Sequence, residues 1–283
     1  MKLGYLTAFS EEELKIASSI GFDGLELDAG SWTDDQLSPS AVKETAKKAK
    51  DLADKYGITI TAIALYQAGL HPAQARIDAF KRVGDLCSEM GVGVIATLTG
   101  GDPDKNAADN IPLFKETFAP IAKMAENKGL KIAFENWAGF WGRPPIKCIN
   151  FGNGPYAWDM MFDAVDSPAL GLEFDPSHFV WQWMDYIAIA KMYGEKIFHV
   201  HLKDTEILEG KLSEVGAYGD GWWRYRVPGY GIINWQDFIS TLTELGFDGG
   251  CAIEHEDPIF SGPRRVQGLK LGHNHLRPII VRE

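Results

Sequence analysis

Short apolar runs alternate with longer segments of mixed polarity from one end of the chain to the other, the rhythm of repeated strand–helix units. Eight runs read as strands: Leu3 to Leu6, Gly24 to Leu27, Ile58 to Leu65, Val94 to Leu98, Lys131 to Glu135, Leu170 to Phe174, Ile197 to Leu202 and Cys251 to Glu254. Between them, Ser40 to Tyr56 sets Ala46, Ala49, Leu52 and Ala53 at helical spacing among lysines and acids, which predicts an amphipathic helix. Gln74 to Met90 and Phe114 to Lys128 predict two more, followed by Gly91 and Gly129, the residue type that most easily closes a helix in a left-handed conformation. The same junction of helix end, glycine and strand entry recurs at Gly21, Gly57 and Gly246. Eight strands at this spacing predict an α/β fold, a closed (β/α)8 barrel, in preference to an open doubly wound sheet, and no G-x-G-x-x-G follows the first strand.

No Pro/Gly/Ser-rich linker or charge block divides the chain, so residues 1–283 are expected to form one domain. Thr99-Gly100-Gly101-Asp102 lacks a lysine or a helix directly behind it and reads as a plain connecting loop, not a phosphate cradle. The longest stretch without a pattern, Glu206 to Ile233, carries Trp222, Trp223, Arg224, Tyr225 and Arg226, and a loop that long in a compact domain is usually functional.

Composition narrows the partners. A hydrophobic share of 45% over 283 residues can bury one large core. A formal charge of -11 with no segregated basic patch argues against nucleic acid and anionic membranes. Cys87, Cys148 and Cys251 are isolated and form no C-x-x-C pair, so neither a disulfide framework nor a thiolate zinc site is expected. The start of the chain runs quickly into Ser10-Glu11-Glu12-Glu13 without the apolar centre of a signal peptide, and no apolar stretch is long enough for a bilayer. The expectation is a cytoplasmic protein made of the whole chain.

The chemistry gathers in the second half. Glu135 sits in Phe-Glu-Asn, Asp175 opens Asp-Pro-Ser-His, His201 sits in His-Val-His-Leu-Lys-Asp, and Glu254 in Ile-Glu-His-Glu-Asp, each at the end of a strand-like run. The C-terminal strand ends of a barrel surround one cavity, so residues far apart in sequence can share a ligand. A strand-end carboxylate taken singly is more commonly a cap or half of an ion pair, and Ser177 after Asp175-Pro176 fits a helix start. Four consecutive strands ending this way point to one divalent ion. Three carboxylates and an imidazole suit Mn2+, Co2+, Mg2+ or Zn2+. Of His199 and His201, which alternate on one strand, one is free to fill the core.

On these motifs, with weaker support from Gly21-Phe22-Asp23-Gly24-Leu25-Glu26-Leu27 and Gly69-Leu70-His71-Pro72, the chain resembles the xylose isomerase-like TIM barrels. These include tagatose and psicose 3-epimerases and inosose dehydratases. The resemblance runs along essentially the whole chain. It implies that Glu135, Asp175, His201 and Glu254 hold the ion, that His178 binds a substrate hydroxyl and that Arg226 reaches a substrate oxygen. The 3-epimerases carry a further Glu six positions after the first ligand, where this chain has Trp141.

The implied reaction removes a proton beside a carbonyl, with Glu135 and Glu254 as the proton-handling pair on opposite faces of a keto sugar or related polyol. Return of the proton gives an isomerase or epimerase. Loss of a neighbouring group gives a lyase acting on an inosose or a 3-keto-glycoside. Lys203 reads equally well as a rim ion pair with Asp204 and as a substrate contact. Trp141, Trp181, Trp222 and Trp223 are expected either to cover a second ring of the substrate or to pack a core or a homo-oligomer interface. A DNA-repair endonuclease of the same fold would need further histidines for three zinc ions, which Leu65-Tyr66 and Leu98-Thr99 do not supply, and a non-catalytic binding protein would have no use for all four ligands.

Overall fold

Strand parity organises the molecule. In Gly24–Asp28, Leu25 and Leu27 are buried in the main apolar core, while Glu26 between them is equally buried and bonds across the barrel to His201. Successive side chains on a strand point to opposite faces, so the leucines face the surrounding helices and the glutamate faces the barrel axis. The computed structural model describes residues 1–139 and 147–281.

Among the described residues the strands are β1 (Lys2–Ala8), β2 (Gly24–Asp28), β3 (Thr59–Leu65), β4 (Val94–Thr97), β5 (Lys131–Glu135), β6 (Leu170–Phe174), β7 (Ile197–His201), β8 (Asp204–Ile207), β9 (Trp223–Arg226) and β10 (Gly250–Ile253). All but β8 and β9 close into a parallel barrel in the order β1-β10-β7-β6-β5-β4-β3-β2. The eight strands read from sequence are these eight, with ends displaced by two residues or fewer. Helices between them bury one stripe against the sheet. Val42–Tyr56 buries Val42, Ala46, Ala49 and Ala53, spaced four, three and four residues apart, and stops at Gly57, whose φ of 67° suits a left-handed cap. Farther round the barrel Phe118, from the helix Ala107–Lys128, meets Phe134 of β5 edge to face at 4.8 Å.

Two expectations change. The helix expected from Phe114 begins at Ala107, because Asn106 caps it by accepting the Asp109 N–H at 2.9 Å; Pro112 and Pro120 are carried inside the helix. The stretch from Glu206 to Ile233 is not irregular. It holds the helix Glu209–Val215 and the antiparallel pair β8–β9, in which Asp204 faces Arg226 and Ile207 faces Trp223. Asp204 secures both ends of this excursion, its carboxylate accepting from the N–H groups of Thr205, Gly229 and Ile233 and from Trp235 Nε1 at 2.9 to 3.1 Å. Lys203 therefore does not pair with Asp204.

Candidate metal centre

Glu135 and His201 end β5 and β7, and Asp175 and Glu254 follow β6 and β10 directly, so the parallel register brings all four to one rim of the barrel. A reciprocal pair of hydrogen bonds ties two of these ends together: the Asn136 side chain accepts from Asp175 N–H and donates to Asp175 C=O, both at 2.8 Å. Asp175 Oδ1 accepts the Ser177 N–H at 2.8 Å, which starts the short helix Ser177–Val180 and carries His178 into the site. His178 Nε2 lies 3.1 Å from Glu135 Oε1 and 3.2 Å from Asp175 Oδ2, and its Nδ1 is 2.8 Å from the Tyr225 hydroxyl. His201 Nδ1 lies 3.1 Å from Glu254 Oε2 and 3.4 Å from Glu135 Oε1.

Lys203 completes the cluster. Its ammonium, 1% exposed, bonds to Glu254, to Glu256 at 3.0 Å and pairs with Asp175 at 3.3 Å, and it lies 4.3 Å above the Tyr225 ring. Burial pushes the Glu254 carboxyl up, but Lys203 and His201 outweigh it and hold the group at about 2. Glu135 is likewise pushed up by burial and held well below the usual range by His178 and His201. Burial works against the Lys203 ammonium, and Glu254, Asp175 and Glu256 together hold it charged. Glu256 is raised, chiefly by the neighbouring Glu254 charge.

This donor set fits a divalent cation. Glu135, Asp175, His178 and Glu254 offer ligand atoms all within 4.8 Å of one another, and His201 Nδ1 borders the same space. Asp175 Oδ2 and His201 Nδ1 are buried and aligned in no hydrogen bond, although charged partners lie near them. Buried polar atoms left without an aligned bond are costly, and a cation between them would satisfy both.

A cavity of about 370 Å³ opens above this cluster, lined by Tyr66, Leu98, Glu135, Trp137, Lys203, Tyr225, Glu254 and Glu256. Several expected substrate contacts lie away from that lining. Arg226 donates to Asp257 at 2.8 Å and Glu206 at 2.6 Å, so it braces the excursion. Trp222 is buried and donates through Nε1 to Ala217 C=O, while Trp181 and Trp223 stack on each other. Trp141 lies outside the described residues. Sequence reasoning passed over Tyr66, Tyr225, Glu26 and Glu173. The last two carried a signal, a charged residue in the middle of an apolar strand, which in a barrel faces inward.

Beneath the rim, Glu26, Glu173, His199 and His201 form a second cluster with no exposed surface. The Tyr66 hydroxyl lies 2.6 Å from Glu173 Oε2 and 3.1 Å from Glu26 Oε1, and His199 Nδ1 is 2.9 Å from Glu173 Oε1. Burial, followed by the Glu26 charge, raises Glu173 well above the usual carboxylate range, and burial lowers His199 to about 4.

The sequence profile of xylose isomerase-like TIM barrels matches residues 14–279, nearly the whole length of the barrel. The chain belongs to the xylose isomerase-like TIM barrel family. It is 27% identical to the uncharacterized protein YfiH of Bacillus subtilis, over 91% of this chain and 93% of that one. It is 26% identical to an inosose dehydratase of Bacillus thuringiensis, over 68% of this chain and 67% of the relative. Among solved structures, the IolI protein with a bound zinc atom superposes with a TM-score of 0.73 at 20% identity, all of each chain being covered. In this xylose isomerase-like barrel no helix among the described residues is long and apolar enough to cross a membrane.

Proposed function

We propose that this xylose isomerase-like barrel is a divalent-metal-dependent isomerase or epimerase of a keto sugar or related polyol, with Glu135, Asp175, His201 and Glu254 as the metal ligands. The observation that carries the reading is the pair of orphaned buried atoms, Asp175 Oδ2 and His201 Nδ1, beside Glu135 and Glu254, which line one cavity. The zinc bound by the IolI protein is consistent with such a site. A bound divalent cation would polarise the substrate carbonyl and stabilise the negative charge left when the adjacent C–H is deprotonated.

The protein's own groups do the rest. Glu135 and Glu254 both line the cavity, one to take the proton and the other to return it. Lys203, bonded to Glu254, is the adjacent proton source, and it also fits a substrate oxygen. His178 orients a substrate hydroxyl, with its ring fixed from behind by Tyr225. Arg226 acts indirectly, by holding Glu206 and Asp257.

A lyase reading is favoured by the identity with an inosose dehydratase and by the Lys203 and Tyr225 donors beside the cavity, which can protonate a departing hydroxyl. The experiment is turnover of free ketoses, inososes and 3-keto-glycosides in heavy water, followed by NMR. Deuterium at the carbon beside the carbonyl with an inverted or shifted hydroxyl is expected. An eliminated group moves the assignment to the lyase, and turnover with no label in either the product or the recovered substrate counts against proton transfer altogether.

A further inference from the structure

The buried cluster under the rim has the composition of a second metal site, but its hydrogen bonds are closed. Both Glu173 oxygens are engaged, by Tyr66 at 2.6 Å and by His199 Nδ1 at 2.9 Å, and Thr61 Oγ1 lies 3.2 Å from His199 Nε2. None of these atoms is left without a partner, in contrast to Asp175 Oδ2 and His201 Nδ1 above. What the cluster presents outward is one contact. His201 Nε2 lies 2.9 Å from Glu26 Oε2, nearer than the 3.3 Å to Glu173 Oε1, which His199 already engages. Glu26 is held in turn through Oε1 by the Tyr66 hydroxyl at 3.1 Å.

We propose that Glu26 is a positioning residue for the metal centre: it accepts the Nε2–H of His201, which fixes the ring's tautomer and plane so that the Nδ1 lone pair faces the ion. This rests on the metal reading given above. The two nitrogens of a neutral imidazole have opposite roles, so a carboxylate that takes the proton on one side obliges the other to be the acceptor. A partner of this kind also raises the basicity of the ligating nitrogen. The burial matters as much as the contact. The His201 ring is fully buried, and the other described groups within reach of its Nε2 are both farther than Glu26: the Tyr66 hydroxyl at 3.2 Å, and Glu173 Oε1 at 3.3 Å, which His199 already engages. Tyr66 therefore has two duties, lining the cavity with its ring and steadying Glu26 with its hydroxyl.

The test uses histidine-labelled full-length protein and Zn2+ as the probe. NMR of the zinc-loaded parent should show His201 with Nδ1 shifted by the ion and Nε2 carrying a slowly exchanging, downfield proton. Calorimetry should show zinc affinity falling about 10- to 100-fold in Glu26→Gln, with that proton shifted or lost. Tyr66→Phe, a milder change, should shift the same proton while keeping it. If Glu26→Gln fails to fold, the parent spectrum and Tyr66→Phe still decide. A zinc-bound Nε2, or a Nε2–H signal indifferent to both substitutions, overturns the role of Glu26. A parent in which zinc leaves the His201 nitrogens unmoved overturns the metal reading itself, and the positioning role with it.

Discussion

Trp181 and Trp223 lie face to face, with ring centroids 4.8 Å apart and planes inclined by 3°. Trp223 also meets the edge of Tyr225 at 4.9 Å, and Trp222 stacks on Trp183 at 6.3 Å. Ala138, Trp181, Trp222 and Tyr225 thus form a small core of their own beside the barrel mouth. These tryptophans spend their faces on one another, and what they present to the cavity is Tyr225. Truncation of a buried tryptophan costs about 3–5 kcal/mol. Trp222→Ala should lose stability on that scale in denaturant titration while keeping its metal affinity. Parent-like stability with a substrate bound tenfold more weakly would return the ring to the substrate.

Glu135→Gln and Glu254→Gln should each lower turnover about a hundredfold or more, the usual scale for losing a general acid or base. Because both glutamates are also proposed ligands, metal content must be measured alongside. A variant that keeps the ion and loses turnover isolates proton transfer, and full turnover in either variant removes that residue from the proton-handling pair.

Lys203 places a positive charge among the proposed ligands, within 3.3 Å of Asp175 and bonded to Glu254. Charges a few ångströms apart interact by several kcal/mol even at an effective dielectric constant of about 20. Lys203→Met should therefore bind Mn2+ about tenfold or more tightly by calorimetry, yet turn over more slowly. Weaker binding would show that the lysine orders the carboxylates instead of competing with the cation.

Chelation followed by elemental analysis checks the centre directly. One divalent ion per chain is expected, removable with loss of activity and absent from His201→Ala. An ion retained by that variant would place the site elsewhere.

Acid stability tests the brace behind the excursion. Asp257 accepts from Arg226 and from the N–H groups of Val227, Ile259 and Phe260. Burial pushes its carboxyl up, and these donors outweigh burial to hold it below its ordinary value. A depressed carboxylate stabilises the fold fully above the unfolded-state value of about 3.9, and this contribution disappears as pH falls through the lower folded value. The melting temperature of Asp257→Asn should lie below the parent's at neutral pH and converge with it in acid. A gap that persists unchanged to pH 2 would trace to lost geometry alone.

The barrel was legible because each barrel strand is a compact apolar run and the helices of its first half stop at the left-handed glycines Gly21, Gly57, Gly91 and Gly129, so local chemistry and global topology agree there. The strand-end residues were legible for the same reason: Glu135, Asp175, His201 and Glu254 interrupt apolar runs at their C-terminal edges. Glu26 and Glu173 were hidden inside such runs, where only the inward parity of a closed barrel gives a carboxylate a place. β8 and β9 escaped notice because each is only four residues long: Asp-Thr-Glu-Ile has no alternation, and Trp-Arg-Tyr-Arg alternates aromatic and charged residues for just two periods. Nothing in the spacing of Trp222 and Trp223 shows which way their rings turn. That depends on Trp181, about forty residues earlier in the chain.

Asp204 gathers four donors from three separate turns of chain onto one carboxylate. The excursion from β8 to the helix Trp235–Glu244 is thus tied at its base by Asp204, and Asp257 holds it a second time through Arg226 and the Val227 N–H. Between β8 and β9, residues 209–221 contribute nothing to the lining of the cavity above the carboxylates. Lengthening a loop between fixed ends costs only about 0.6 kcal/mol per doubling. The segment from Glu209 to Gly221 is therefore a graft position, where a new specificity cap can be installed above an unaltered set of carboxylates and imidazoles.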